Sequence, residues 1–448
     1  MIYDITNIFI LLGILVLIKD YKNISFNFFY LSFVFILGLI IFTYYDSIEI
    51  NLLKLDEWKK YLLMFIMILF FLVIKLVREK TFDVYCLIVL VFIGSAVLIT
   101  CDNFIILYLG LELQTFSLFI LIAKNRTSIK SSEAGLKYFI LGAASSGLYL
   151  LSISILFLFG YDLQLGNITF FSEDYIILIC LSLITFSFSF KLGLFPLHFW
   201  IPDIYEGSSW DIISLISTLP KVSILAVLVQ ILTHSNLLQC LSLLSIIIGT
   251  LGALNQSKLK RLLAYSGISH IGFITLGYSV LMKEGNVVSS IYLVVYMLTM
   301  VSLFILITRM VFKNQYLIEL SFLNHINKLY SITLILIILS IGGIPPLSGF
   351  ISKWYIIWTS VSYSYNISAF IMILFSAIGA GYYLRLVKMV YFQKQSSYLL
   401  WENVLNHKKK DDEFLLLNLG FLFFVSLFLI INFSFMINII YYINTFII

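Results

Sequence analysis

The sequence predicts an all-α polytopic membrane protein, and three observations lead to that fold class. Hydrophobic residues make up 61% of the 448 residues and charged residues only 11%, whereas soluble domains carry about 25% charged residues. About fourteen apolar runs are long enough to serve as transmembrane segments. The basic residues alternate between these runs as the positive-inside rule requires of a multi-pass chain.

The apolar runs, taken in order, define the predicted spans, and charged or turn-rich segments separate them. They lie near residues 5–18, 26–44, 61–77, 84–100, 103–123, 135–160, 175–200, 211–233, 236–254, 261–282, 288–312, 330–360, 367–391 and 414–446. The first run has no basic segment before it and no small-residue cleavage site after it, so we interpret it as a span rather than a cleavable leader.

The basic residues give the predicted orientation. Most of the 28 lysines and arginines follow spans 1, 3, 5, 9, 11 and 13, so the odd-numbered spans are predicted to end on the matrix or cytoplasmic side, with both termini on the other face. The basic residues form no stripe that would indicate nucleic-acid binding. The four cysteines show no metal-binding spacing and are predicted to be buried thiols: Cys86, Cys101, Cys180 and Cys240.

Three lysines lie inside apolar runs: Lys191, Lys221 and Lys353. A lysine at the centre of a bilayer costs about 3 kcal/mol on insertion scales, so such residues are rare and mark paths for ions or protons. All five prolines lie close to one of these lysines: Pro196, Pro202, Pro220, Pro345 and Pro346. Proline at this depth indicates a broken helix that lines a polar cavity, and the pairing predicts transport of charge.

Spans 7 and 12 indicate an internal repeat. Lys191 precedes Pro196 in span 7, whereas Lys353 follows the prolines of span 12, and the two spans lie five apart. Two inverted five-helix repeats with broken helices 7 and 12 would produce this pattern, although two prolines could also fall there by chance. The predicted divisions are N-terminal helices in 1–100, the last of which begins the first repeat, the repeats in 84–233 and 236–391, and a loop with a C-terminal helix in 392–448.

Glu112 is the acid that lies deepest inside an apolar run, about 14 Å along the helix from Asn103 and therefore near the bilayer centre. A lone carboxylate there takes up a proton or finds a cation, and Lys191 and Lys221 are the nearest cations in sequence. A buried lysine can load and release a proton near neutral pH, where arginine could not. We therefore expect proton transfer through Glu112 and the three intramembrane lysines, with snorkelling or static ion pairing as the alternative.

Several weaker candidates for an auxiliary relay surround these residues. Glu133 and Lys137 are four residues apart and share a helix face, which is also the pattern of a surface ion pair. His198 and His270 could relay protons because histidine titrates near physiological pH, or could be satisfied polar groups of a helix bundle. Lys260 belongs to a basic cluster at the start of span 10, where topology alone explains it.

Five segments of the chain resemble a known family. They are LYLGLELQTFSLFILIA, SSEAGLKYFILGAASSG, FKLGLFPLHFWIPDIYEG, NQSKLKRLLAYSGISHIGF and GGIPPLSGFISKW, which occur in this order within about residues 100–395. They resemble the signature segments of the subunit 2 family of respiratory complex I, the proton-pumping NADH:ubiquinone oxidoreductase. The resemblance implies an antiporter-like subunit with fourteen helices, two inverted repeats, and a proton path on Glu112, Lys191, Lys221 and Lys353.

The resemblance also implies partners and a location. The chain would be a subunit of an H⁺-translocating NADH:ubiquinone reductase and would bind no cofactor itself, with NADH, FMN, iron–sulfur clusters and ubiquinone in other subunits. Its partners would be membrane lipids and other membrane-arm subunits, including neighbouring antiporter-like subunits. The residue usage of an AT-rich genome favours the mitochondrial inner membrane, with a bacterial plasma membrane as the alternative.

One segment departs from the family. The family usually reads GSPTPV after the break in span 7, whereas this chain reads GSSWDI from Gly207, which leaves the geometry of the loop leading to Lys221 open. Two other functions stay open beside proton pumping in complex I. The chain could be a subunit of a sodium/proton antiporter complex without a redox partner, or a non-pumping structural subunit of the membrane arm.

Overall fold

The computed structural model describes most of the chain between the first predicted spans and the C-terminal tail. The described residues are 48–50, 53–77, 81–165, 175–231, 236–280, 283–309, 316–323, 328–345 and 347–392. Outside them lie the predicted spans near 5–18, 26–44 and 414–446, as well as Pro346. Strand β1 (Ile48–Ile50) pairs antiparallel with β2 (Leu53–Leu55), and the rest of the regular structure described is helical.

Thirteen α-helices and one 3₁₀ helix (Leu317–Phe322) make up this helical part. The α-helices are α1 (Glu57–Leu76), α2 (Phe82–Thr100), α3 (Phe104–Ile122), α4 (Ile129–Leu158), α5 (Tyr175–Leu192), α6 (Trp200–Gly207), α7 (Trp210–Ile231), α8 (Asn236–Leu254), α9 (Leu259–Ser279), α10 (Lys283–Arg309), α11 (Lys328–Gly342), α12 (Ser348–Ser362) and α13 (Asn366–Tyr391). Eight of the described helices are long and apolar enough to cross a membrane.

Helix α4 begins earlier than the predicted span. This helix begins at Ile129, whereas the apolar run predicts a start near residue 135. Glu133 and Lys137 interrupt the apolar run but form an i,i+4 ion pair at 2.7 Å, so the charged turn continues the helix. An apolar run marks the part of a helix that contacts lipid, so it does not include a polar first turn of the same helix.

Two of the predicted spans are interrupted, and the first half of each ends in the same backbone motif. Gly193 (φ 75°) follows α5 and Gly343 (φ 79°) follows α11, both in the left-handed conformation that favours glycine. The N–H of the next residue reaches back five positions, from Leu194 to the Ser189 carbonyl at 2.8 Å and from Ile344 to the Leu339 carbonyl at 3.1 Å. Each half-helix therefore ends in a Schellman motif, and Pro196 and Pro345 lie in the breaks that follow.

The packing encloses some helices and leaves others exposed. Helix α7 and helix α10 are largely buried, whereas fewer than half of the residues in the apolar parts of α2, α4 and α13 are buried. Helix α9 lies at the centre, in contact with α8, α10, α12 and α6. Cys101 and Cys180 are buried as predicted, but Cys86 is only partly buried and Cys240 is exposed. The prediction was wrong for Cys240 because an apolar thiol on the outer face of α8 needs no protein partner.

Candidate functional site

The three intramembrane lysines are enclosed by protein. Lys191 on α5, Lys221 on α7 and Lys353 on α12 have only 8%, 2% and 7% of their surface exposed. An ammonium group on the outer face of the bundle would be more exposed and would extend toward the membrane surface. The chain therefore keeps these three amines inside the helix bundle, where neighbouring groups determine their charge.

Lys353 is held by the end of the preceding half-helix. Its Nζ donates hydrogen bonds to the carbonyl oxygens of Ile341 at 3.1 Å and Gly342 at 2.9 Å, and it lies 5.8 Å from the ring centre of Phe273. The last carbonyls of a helix have no partner within the helix and carry partial negative charge. The break between α11 and α12 thus creates a binding site for the ammonium group.

Lys191 lies in the last turn of α5, two residues before Gly193. Glu112 on α3 interacts with it electrostatically, although no direct ion pair joins them in the described part of the chain. The Lys191 Nζ and the Glu112 Oε1 are both buried without a hydrogen-bond partner among the described residues, whereas Glu112 Oε2 accepts a bond from Thr115 Oγ1 at 3.3 Å. Acid and amine therefore interact through their charges, and neither of these two atoms is held by a hydrogen bond among the described residues.

Lys221 directly follows Pro220, which lacks an N–H and so frees one carbonyl of the preceding turn of α7. Its Nζ has no hydrogen-bond partner among the described residues. A Cβ added to Gly267 of α9 would lie 3.7 Å from this Nζ and 3.3 Å from the Tyr296 hydroxyl. The glycine thus allows the amine and the phenol to approach the same point of α9.

His270 is a buried histidine of α9. Both Lys221 and Lys353 interact with it electrostatically. Its Nδ1 is 2.6 Å from the Tyr292 hydroxyl and its Nε2 is 3.0 Å from the Tyr383 hydroxyl, while Tyr296 stacks on its ring at 5.0 Å. His270 and the three tyrosines form one polar cluster in the bundle, and the charges of Lys221 and Lys353 act on it.

The sequence did not single out these tyrosines, because the chain contains 28 of them. A signal was present in their spacing. Tyr292 and Tyr296 are four residues apart on α10 and therefore share a face of that helix. Tyr382 and Tyr383 are adjacent residues of α13. Tyrosines at helical spacing beside a predicted intramembrane histidine are the pattern that would have identified them.

The remaining predicted residues lie apart from this cluster. His198 is buried in the break after Pro196, where its ring contacts those of Phe195 and Phe199, and none of its contacts in the described chain is with the three amines. Lys137 pairs with Glu133 as predicted, and it also pairs with Asp203 of α6 at 2.7 Å. No group of three or more histidine, cysteine or acidic residues that could hold a metal ion occurs among the described residues.

Asp203 and Glu206, which the sequence analysis did not identify, organise a charged cluster at one end of the bundle. Asp203 pairs with Lys137 and with Arg261. Glu206 pairs with Lys130 at 2.8 Å, with Lys258 at 2.5 Å and with Arg261 at 2.5 Å. These ion pairs connect the starts of α4 and α9, so the basic residues of both lie on one face, as the positive-inside pattern predicts.

These ion pairs hold the short helix α6 against α4 and α9. Helix α6 comes directly after the break that follows Lys191. Burial raises the pKa of Glu206, but hydrogen bonds from Lys130 and Lys258 and the charge of Arg261 outweigh burial and lower the pKa from 4.5 to about 2. Because the pKa is depressed, the stabilisation is fully present above pH 4.5 and is lost as the pH falls toward 2.

Glu206→Gln is expected to lower the thermal denaturation midpoint of the assembled protein at pH 7, because three cations lose their shared carboxylate. The free energy of unfolding is expected to fall by about 2 kcal/mol, as for other buried hydrogen bonds to charged groups. Glu133→Gln is the matched control, since the Glu133 side chain is 59% exposed and has one cationic partner. Equal midpoints for the two variants between pH 6 and 8 would show that the cluster does not stabilise the break.

The loop that departs from the family is held in place by Lys260. Lys260 is 3% exposed, and its Nζ donates a hydrogen bond to the Ser208 carbonyl at 2.5 Å and lies 5.1 Å from the ring centre of Trp210. Asp211 and Glu206 also attract it electrostatically. Lys260 is thus more than a surface cation that follows topology, since it binds the loop that leads to Lys221. In place of two prolines, a buried cation–π contact and a hydrogen bond fix this loop.

The chain is similar to proteins of one family. Residues 101–379 match the family model described as NADH:quinone oxidoreductase/Mrp antiporter, TM. NADH-ubiquinone oxidoreductase chain 2 of Metridium senile is 38% identical over 356 residues, which cover 77% of this chain and 92% of the relative. NADH-quinone oxidoreductase subunit N of Ruthia magnifica subsp. Calyptogena magnifica is 34% identical over 420 residues, which cover 86% of each chain.

The fold is also similar to that of a solved structure. A chain of respiratory complex I from Thermus thermophilus with bound Aureothin superposes with a TM-score of 0.79 at 24% identity, and the match covers 91% of each chain. At this identity the likeness shows a shared fold.

Proposed function

Because this chain belongs to the NADH:quinone oxidoreductase/Mrp antiporter family of transmembrane subunits, we propose that it moves protons across the membrane through its buried acid and amines. It is a multi-pass membrane protein and an antiporter-like membrane subunit of respiratory complex I. The resemblance stated from its sequence segments is therefore confirmed. NADH oxidation and quinone reduction occur in other subunits, and this chain couples to them.

The single observation that carries this proposal is the enclosure of three amines within the bundle, with a half-buried acid whose charge acts on the first of them. The charge of Glu112 acts on Lys191, and the charges of Lys221 and Lys353 act on His270, which supports a proton path through these residues. A subunit that served only as a spacer would have no need of buried ammonium groups, which cost several kcal/mol each to enclose. Their retention is explained if each must bind and release a proton.

In the proposed path each residue has a distinct role. Glu112 sets the charge of Lys191, because an acid close to an amine favours its protonated form. Lys221 passes the proton along the axis, and Lys353 delivers it to the exit or to a neighbouring subunit. Quinone reduction elsewhere in the complex would shift the pairing and hydration of these groups between two states. Glu133 and Lys137 at the start of α4, with Lys260, His198 and His270, are the auxiliary groups of this proposal.

We further propose fourteen transmembrane helices arranged as two inverted repeats, in residues 84–233 and 236–391. Both breaks begin with the same Schellman ending, at Gly193 and at Gly343, which is consistent with this division. The two broken spans lie five apart in the chain, which is the spacing that two five-helix repeats require. Residues 1–100 and 392–448 would supply the remaining helices.

The setting of the subunit is part of the same proposal. We expect it in the membrane arm beside other antiporter-like subunits and lipids, in the mitochondrial inner membrane or, alternatively, a bacterial plasma membrane. We expect no cofactor on this chain, with NADH, FMN, iron–sulfur clusters and ubiquinone bound elsewhere in the complex.

A sodium/proton antiporter is the second candidate, because the family description includes the Mrp antiporters. Purification of the chain in its native membrane complex decides between the two functions. Copurification of NADH-oxidising subunits, with proton pumping that does not require sodium, supports the complex I function. A complex that lacks them and exchanges sodium for protons would contradict it.

Glu112→Gln tests whether the charge of Glu112 on Lys191 is needed for the proposed function. The amide keeps the shape of the side chain but removes the charge that acts on Lys191, so the number of protons pumped per NADH oxidised is expected to fall in the assembled complex. Glu284→Gln, an exposed acid at the start of α10, is the control and is expected to pump normally. Equal proton-to-electron ratios in both variants would count against a role for Glu112.

A further inference from the structure

Trp200 of helix α6 reaches back across the first break to the end of α5. Its indole Nε1–H donates a hydrogen bond to the Phe190 carbonyl oxygen at 3.0 Å, and the Gly193 N–H donates to the same oxygen at 3.0 Å. A carbonyl oxygen has two lone pairs, so this acceptor is fully used. Phe190 directly precedes Lys191 in the last turn of α5, and the indole therefore holds the turn that carries this amine.

Burial fixes the indole in this position. Trp200 is 3% exposed, and its ring centre lies 5.5 Å from that of Phe190 and 5.5 Å from that of Tyr138 on α4. A buried indole N–H needs an acceptor, because leaving it unpaired costs the desolvation of a polar group. The ring contacts and the hydrogen bond therefore favour the same orientation of Trp200.

The same ring also contacts a residue on which the acid acts. Tyr138, which packs against the Trp200 ring, is buried, and the charge of Glu112 acts on its hydroxyl group. The charge of Glu112 also acts on Lys191. Trp200 thus connects the helix turn that carries the amine with a residue in the field of the acid.

The two helix breaks differ in the group that holds the end of the first half-helix. At the second break the Lys353 ammonium itself bonds the last carbonyls of α11, those of Ile341 and Gly342. At the first break a neutral donor, the Trp200 indole, bonds the end of α5. A lysine in the last turn of a helix can bond the last carbonyls of that helix. The Lys191 Nζ, however, has no hydrogen-bond partner among the described residues.

We propose that Trp200 is a positioning residue for Lys191, because its indole N–H occupies the Phe190 carbonyl and so keeps the amine from binding the end of its own helix. The amine then stays where the charge of Glu112 acts on it. Without the indole donor, the Phe190 carbonyl would be a buried acceptor with a free lone pair, and the ammonium of the same turn could bind it. This inference rests on the proposed function and adds a residue that does not itself carry a proton.

The test uses the intact complex with Trp200→Phe, which keeps an aromatic ring but removes the N–H donor. The proton-to-electron ratio per assembled complex is expected to fall to the level of Glu112→Gln. A cryo-electron microscopy map of the variant is expected to show the Lys191 amine moved to the end of α5, with the Lys353 amine in place. Trp58→Phe is the matched control, because it changes another buried tryptophan, on α1, and it is expected to pump normally.

The outcomes separate this inference from the function on which it rests. A normal ratio in Trp200→Phe, or a reduced ratio with the Lys191 amine unmoved in the map, would overturn the positioning role. Loss of assembly in Trp200→Phe, where Trp58→Phe assembles, would show that the indole serves folding instead and would also overturn it. Normal ratios in Glu112→Gln and Lys191→Ala would overturn the proposed function, whereas the map of Trp200→Phe would still report whether the indole positions the amine.

Discussion

Replacing Lys221 with alanine is expected to abolish the protons that this subunit contributes per NADH oxidised and to slow coupled NADH oxidation. The amine follows Lys191 in the proposed path, and among the described residues Tyr296 is the one other titratable group within 4 Å of a Cβ on Gly267. Lys221→Arg is expected to have the same effect, because arginine keeps the charge but does not release its proton. The variant thus separates a titrating amine from a fixed cation.

The measurement is the proton-to-electron ratio of purified complex in sealed vesicles, normalised to assembled complex. Lys388→Ala is the control, since Lys388 is an exposed residue in the last turn of α13. Normal turnover and a normal ratio in assembled Lys221→Ala complex would contradict the account. Poor assembly with normal pumping per complex would instead support a structural spacer.

Gly343→Ala is expected to have the second largest effect, although it leaves every titratable residue in place. Gly343 has a φ of 79°, a conformation that costs an L-residue about 1–2 kcal/mol. Its added Cβ would also lie 2.9 Å from the Lys353 Cδ and 3.1 Å from the Nζ. The substitution therefore displaces Lys353 from the carbonyls at the end of α11, and proton pumping is expected to fall toward the level of Lys353→Ala.

Gly142→Ala provides the control for this glycine. Nothing lies within 4 Å of the position that a Cβ on Gly142 would occupy, and alanine is favoured over glycine inside a helix. Amount of assembled complex and proton-to-electron ratio are measured for both variants. If Gly343→Ala assembles and pumps like Gly142→Ala, then the break does not position Lys353 and the proposed role of the helix end is wrong.

Much of the fold follows from the sequence because hydrophobic length is a strong signal in membrane proteins. The predicted multi-pass character is confirmed, and the spans from 61–77 to 367–391 coincide with described helices. The breaks were predictable because Pro196 and Pro345 interrupt apolar runs that contain a lysine. The total of fourteen spans stays a prediction, since the first two spans and the last lie outside the described residues.

The parts of the site that could be predicted are those in which the residue type is itself costly in a membrane. Lys191, Lys221, Lys353 and Glu112 are conspicuous because few functions justify a charge in hydrocarbon. Tyr292 and Tyr383 are not conspicuous, since tyrosine is common in apolar helices and only the fold brings these two to His270. The partners of Asp203 and Glu206 likewise come from α4 and α9, more than 50 residues away in sequence.

The most direct test of the central claim is a cryo-electron microscopy map of the assembled complex at a resolution that shows ordered water. The account predicts a continuous chain of waters and side chains from Glu112 through Lys191, Lys221 and His270 to Lys353. Dry hydrocarbon separating these amines, or amines turned toward lipid, would contradict it.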